Sequence, residues 1–98
     1  MDYSVKKQII LDKKTALLKA ESWCAYQERS QQEVRNKLYE WNLFPNEVEE
    51  VISELISTNF LNEERFARSF ARGKHRIKKW GKLRIVNELK FRGISKYN

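Results

Sequence analysis

The chain contains a single cysteine, Cys24, so no intramolecular disulfide can form and nothing implies an oxidising compartment. One proline and three glycines leave few turn signals, while Glu, Lys, Arg, Leu and Gln are plentiful, a balance that favours helix. Near the N-terminus the apolar run Ile9–Leu11 is only three residues long, too short for a signal-peptide core or a membrane span. A soluble cytoplasmic chain with no membrane partner is therefore expected. Hydrophobic residues make up 41% and aromatics 12%, which is enough for a packed core and argues against global disorder. Ninety-eight residues suffice for one small domain or two or three short helical modules.

Catalytic groups are equally scarce. The one histidine and the one cysteine fall in different helical stretches. His75 stands among Arg72, Lys74 and Arg76, a field that suits a solvated side chain better than a metal, and no convergent ligands are spaced around it. Cys24, beside Trp23 and Ala25, reads as a small buried hydrophobe. Gly73, Gly81 and Gly93 are too scattered for a phosphate loop. Glu47, Glu49, Glu50 and Glu54 read as helix-surface charges without paired acid–base geometry. No enzyme, no metal and no cofactor are expected.

What the chain does have is helical punctuation. Ala16, Ala20, Trp23 and Cys24 recur on one face of a first helix, from about Thr15 to Gln27. "SQQE" opens a second: Ser30 is the N-cap and Glu33 completes a capping box. Val34, Leu38 and Trp41 form its apolar face, Asn42 stands at the left-handed position beyond its end, and Leu43 closes back. Pro45 begins a third helix, with Val48, Val51, Ile52, Leu55 and Ile56 as its stripe and Glu47, Glu49 and Glu50 near its positive end. Asn62 caps a fourth, where Leu61 and Phe66 have staple spacing and Phe66, Phe70 and Ile77 keep one face apolar. A fifth follows Trp80-Gly81, carries Ile85 and Leu89, and ends at Gly93 with Ile94.

Sliding the sequence by 51 positions superposes Ser30 on Gly81, Val34 on Ile85, Leu38 on Leu89, Asn42 on Gly93 and Leu43 on Ile94. Ala16 and Ala20 likewise meet Ala67 and Ala71. The fold class is thus all-α, built of tandem three-helix repeats, with about five helices here and the second repeat incomplete. Expected boundaries are an N-terminal tail over 1–14, for which disorder is one reading, a first repeat over 15–60, and a second over 61–98 that lacks its last helix. The chain reads as the front of a longer array or as one cut short. Self-association through the incomplete repeat is then expected, because a repeat that cannot bury its own face needs a neighbour.

Acidic residues are nearly missing from the second half. Met1 to Leu61 carries eight Lys/Arg against ten Asp/Glu, whereas Asn62 to Asn98 carries twelve against three. So local an imbalance points to a polyanionic partner rather than to mere solubility. Arg65, Arg68, Arg72, Arg76 and Lys79 follow at three- and four-residue steps. At ~100° per residue they fall within an arc of roughly 80°, away from Phe66, Phe70 and Ile77. No carboxylate interrupts the run between Glu64 and Glu88, although helices built for solubility alone interleave both signs. Lys82 and Arg84 extend the cationic set into the fifth helix. Guanidinium forks suit phosphate and carboxylate alike, so the row by itself does not separate DNA from acidic protein.

A helix-turn-helix reading finds a glycine turn in "KKWGK", but only Asn87 offers an amide for base edges, so sequence-specific operator binding is weakly supported. Trp23, Trp41 and Trp80 are stacking candidates for single strands, though their positions suit the core better.

"ERSQQEVRNKL" at 28–38, "LNEERFARSF" at 61–70 and "KWGKLRIVNELKFRGI" at 79–94 resemble the RecX family of bacterial recombination regulators, in the family's order and spacing. The resemblance covers roughly Thr15 to Ser95. It implies an array of three-helix repeats, usually three, without catalytic site or cofactor. It further implies binding to the RecA recombinase filament on single-stranded DNA, with RecA's ATP hydrolysis and strand exchange restrained. Arg65, Arg68, Arg72, Arg76, Lys79, Lys82 and Arg84 would face RecA, the bound DNA or both. Asn62 stands where the family usually carries Asp, and either residue caps a helix. A stand-alone nucleic-acid binder of low specificity is the rival expectation, and an interaction scaffold without nucleic acid the third.

Overall fold

A computed structural model describes residues 11–94. Its five helices are α1 Lys13–Tyr26, α2 Gln31–Glu40, α3 Pro45–Ser57, α4 Glu63–Ile77 and α5 Lys82–Phe91, and no strand occurs among the described residues. The chain is all-α, in two compact units that divide between Leu61 and Asn62.

Local chemistry sets the starts of the helices. Asp12 caps α1 by accepting the Thr15 N–H at 2.7 Å, so the helix begins two residues before the expected Thr15. Leu11 packs against the first core, and its N–H donates to the Trp41 carbonyl at 3.4 Å. Part of the expected 1–14 tail therefore belongs to the packed unit, and residues 1–10 lie outside the described ones. Ser30 and Glu33 form the expected capping box: the Glu33 N–H donates to Ser30 Oγ at 3.1 Å and the Ser30 N–H to Glu33 Oε1 at 2.8 Å. Pro45 occupies the first turn of α3, where the Phe44 N–H donates to Glu47 Oε1 at 3.1 Å. Asn62 caps α4 by accepting the Arg65 N–H at 2.8 Å.

The helix ends repeat one closure. After α2, Asn42 at φ 67° lets the Leu43 N–H donate to the Leu38 carbonyl and the Asn42 N–H to that of Tyr39. After α5, Gly93 at φ 88° lets the Ile94 N–H reach the Leu89 carbonyl and its own N–H that of Lys90. Both are Schellman motifs, fifty-one residues apart in the numbering. Asn59 at φ 67° closes α3 likewise, with the Phe60 N–H on the Leu55 carbonyl at 2.8 Å.

In the first unit α1, α2 and α3 pack pairwise around Ala16, Ala20, Val34, Leu38, Val48, Val51 and Leu55, with Cys24 and Leu61 also buried. Ion pairs Arg35–Glu49 and Lys13–Glu50 tie α2 and α1 to the outer face of α3. Ile56, expected in the stripe of α3, is 45% exposed. It follows Leu55 by one residue, and a rotation of ~100° carries it off the buried face. In the second unit α4 and α5 bury Phe66, Ala67, Ile85, Leu89 and Ile94. Ile77, expected on that face, is 77% exposed. It is the last residue of α4.

Candidate nucleic-acid and partner interface

The cationic residues expected to act together divide into three situations. Arg68, Arg72 and Arg76 are exposed on α4 at four-residue steps, one ridge along the helix. Arg65 begins the ridge half-buried. Arg68 is held by Glu64, its Nη2 2.8 Å from Oε2, so that guanidinium is partly neutralised already.

Lys79 does not belong to the ridge. α4 stops at Ile77, Lys78 is the C-cap, and Lys79 takes φ 63°, the left-handed position that reverses the chain. The reversal is driven by Trp80, which packs on the second core while its N–H donates to the Lys74 carbonyl at 3.1 Å. An indole that must return to the core outweighs the cost of a left-handed lysine, ~1–2 kcal/mol. Lys82 is the first residue of α5 and exposed. Arg84 is also exposed, and its guanidinium lies 4.0 Å from the Trp80 ring centroid.

Sequence reading named Arg84 but missed the aromatic rings that it, Lys74 and Arg92 cover. Phe70 and Trp80 meet edge to face at 6.3 Å between centroids. Lys74 Nζ lies over both rings, at 5.3 and 4.9 Å, and Arg92 lies over Phe70 at 4.9 Å. Two aromatic rings are thus sheathed by Lys74, Arg84 and Arg92. The first unit holds the same kind of group: Arg29 stacks over Trp23 at 3.9 Å, Lys37 approaches that ring at 5.3 Å, and Lys19 lies over Trp41 at 5.7 Å. All three tryptophans are partly buried against their cores. The 51-residue register carried the signal, had aromatic and cationic positions been compared as well as apolar ones.

Hydrogen bonds and ion pairs shift pKa values within the first unit. Arg35 grips Glu49 with two parallel bonds of 2.9 and 3.0 Å, which lowers the carboxyl's pKa and raises that of the guanidinium. Glu50 raises the Lys13 pKa through its hydrogen bond, and the Thr15 hydrogen bonds lower that of Asp12. His75 is exposed, with Nδ1 3.3 Å from the Trp80 carbonyl oxygen. Among the described residues no three His, Cys, Asp or Glu side chains gather as a metal site would require. None of the described helices is long and apolar enough to cross a membrane.

Tandem helical units with repeated closures and cation-sheathed aromatics define a helical repeat protein. Residues 16–55 match the family model for the first three-helix domain of RecX, and residues 62–98 match that for its second. The chain belongs to the RecX family. It is 32% identical over 83 residues to Regulatory protein RecX of Prosthecochloris aestuarii, covering 85% of this chain and 55% of that one. To Regulatory protein RecX of Lactobacillus johnsonii it is 35% identical over 80 residues, covering 82% of this chain and 30% of the other. The chain thus spans about half the length of the first relative and less than a third of the second. No solved structure matches it.

Proposed function

We propose that this chain is a regulatory binding module that docks on the RecA recombinase filament assembled on single-stranded DNA and restrains it, acting in cytoplasmic recombination, repair and the SOS response. The observation that carries this reading is the joint match to both RecX domains in a chain whose second unit concentrates the positive charge. Arg68, Arg72 and Arg76 supply the docking ridge, with Arg65 at its start and Lys82 beyond its end. A regularly spaced row of guanidinium groups fits a surface that repeats acidic side chains or phosphates along its length. No cofactor enters this role, and the chain contributes binding rather than catalysis.

RecA ATPase on single-stranded DNA, titrated with this chain, tests the proposal. Falling ATP turnover as the chain is added is the expected result; unchanged turnover at several-fold excess refutes it. The charge surplus of residues 62–98 also favours a second reading, a stand-alone nucleic-acid binder of low specificity. That reading requires tight binding to naked DNA without RecA, falling steeply as salt rises.

A further inference from the structure

On α1, Leu18, Lys19, Ser22, Trp23 and Tyr26 line an open groove of about 550 Å³ together with Trp41. Leu18 is 56% and Tyr26 82% exposed, so the groove presents open apolar and aromatic surface. The groove recurs. On α4, Ser69, Phe70, Gly73, Lys74 and Ile77 line a smaller one of about 220 Å³ together with Lys78. Each of the first five residues stands fifty-one positions after its counterpart in the first groove. The feature therefore belongs to the repeat: each unit buries one side of its leading helix and leaves the other open. Repeat arrays bind through such recurring surfaces.

Chemistry limits the occupant. Neither groove is lined by a carboxylate, even though the first unit carries an excess of acidic residues. The cations present are Lys19 in the first groove and Lys74 and Lys78 in the second, while Arg29 and Lys37 lie over the Trp23 ring. A purely apolar segment docking here would strip water from these cations and offer them nothing in return. A nucleobase brings a flat π face for Tyr26 and the indole walls, and its phosphate pairs with the lysine at the rim.

We infer that the groove on α1 is a stacking site for bases of single-stranded nucleic acid, with Tyr26 as platform, Trp23 and Trp41 as walls and Lys19 as the phosphate contact. The counterpart on α4, where Ile77 replaces Tyr26, offers apolar contact and two lysines and so favours the sugar–phosphate strand over the base. This inference rests on the proposed function for the presence of single-stranded DNA, and its test runs without RecA.

Fluorescence anisotropy of labelled oligo(dT), compared with an abasic strand of the same phosphate count, measures the stacking contribution on the 98-residue chain. Oligo(dT) is expected to bind roughly tenfold more tightly than the abasic strand, and Tyr26→Ala to remove that difference while Tyr26→Phe keeps it. Arg72→Glu is expected to weaken both strands alike and leave their ratio intact. Unchanged helical circular dichroism in Tyr26→Ala is expected from so exposed a residue. Equal binding of the two strands, or wild-type oligo(dT) affinity in Tyr26→Ala, overturns the inference. Loss of RecA inhibition in Tyr26→Ala with oligo(dT) binding intact overturns it too, and gives the groove to a protein partner. Failure of the wild-type chain to inhibit RecA would remove the proposed regulation and leave the strand comparison standing.

Discussion

Lys19 lies over the indole of Trp41 at 5.7 Å, and fifty-one residues later the same two positions make the same contact with their roles exchanged. There the aromatic ring is Phe70 and the cation is Arg92, 4.9 Å from its centroid. A second pair inverts in the same way. Arg29 covers Trp23 at 3.9 Å in the first unit, and Lys74 covers Trp80 at 4.9 Å in the second. A cation–π contact is indifferent to which partner sits on which helix, so the repeat keeps the contact and loses the residue identities.

The contacts differ in strength, and truncation should reveal the order. Arg29 stacks closely and also donates its Nε–H to the Trp23 carbonyl at 3.2 Å, whereas Lys19 is exposed and more distant. Arg29→Met is expected to cost about 1–2 kcal/mol and Lys19→Met about 0.5 kcal/mol. Urea unfolding followed by tryptophan emission measures both, and equal losses would contradict the ordering. Arg29→Lys should recover little, because the stacked plane and its hydrogen bond are lost together.

Two backbone positions in the second unit should respond favourably to substitution. Gly73 is helical, and a Cβ there meets nothing within 4 Å, so Gly73→Ala is expected to stabilise by about 0.5–1 kcal/mol. Lys79 holds φ 63°, and Lys79→Gly relieves that strain by about 1 kcal/mol. Thermal unfolding checks each. A lower melting temperature for Lys79→Gly would mean that its side chain is needed by the fold.

Acid should weaken the first unit through two carboxylates. The Thr15 hydrogen bonds hold Asp12 below the usual carboxylate range, and Arg35 does the same for Glu49. A lowered folded-state pKa contributes stability that is present above the unfolded-state value and lost as pH falls through the folded one. The melting temperature is therefore expected to hold at neutral pH and to decline below about pH 4. Both groups are solvated, so the decline is shallow. Glu49→Gln should lower stability at neutral pH and flatten the acid limb; an unchanged limb would remove Glu49 from this account.

Charge reversal on the ridge separates binding from folding. Arg68→Glu, Arg72→Glu and Arg76→Glu combined are expected to abolish docking on the RecA–DNA filament while the helical circular dichroism signal stays. The fold cost is confined to α4, where losing the Glu64–Arg68 pair costs ~0.2–0.5 kcal/mol. Unfolding of the triple variant would instead make the ridge structural. Intact filament binding would move the interface elsewhere on the chain.

Much of the fold was legible because helix ends are written locally. Ser30 with Glu33, Pro45, Asn62, Asn42 and Gly93 each act within four residues of their own position, where tertiary contacts have little say. Asp12 was missed because the apolar face it introduces starts only at Ala16, which drew the expected helix start toward Thr15. The candidate site was less legible. Spacing put Lys79 on the ridge, since periodicity does not register the return of Trp80 to the core. Counting charges did not register that Arg84 is stacked on an indole, or that Lys74 and Arg92 sheath Phe70.

By itself the sequence determined an all-α chain, the caps and closures of its helices, the 51-residue repeat and the concentration of arginine beyond Asn62. Those properties depend on neighbours within a turn or two, or on composition. Only the tertiary structure decided which cations lie on aromatic rings, that Ile77 and Tyr26 stand exposed, and that a groove recurs on the leading helix of each unit. Each of these depends on what packs against a side chain from another helix, and the order of residues along one helix carries no record of that.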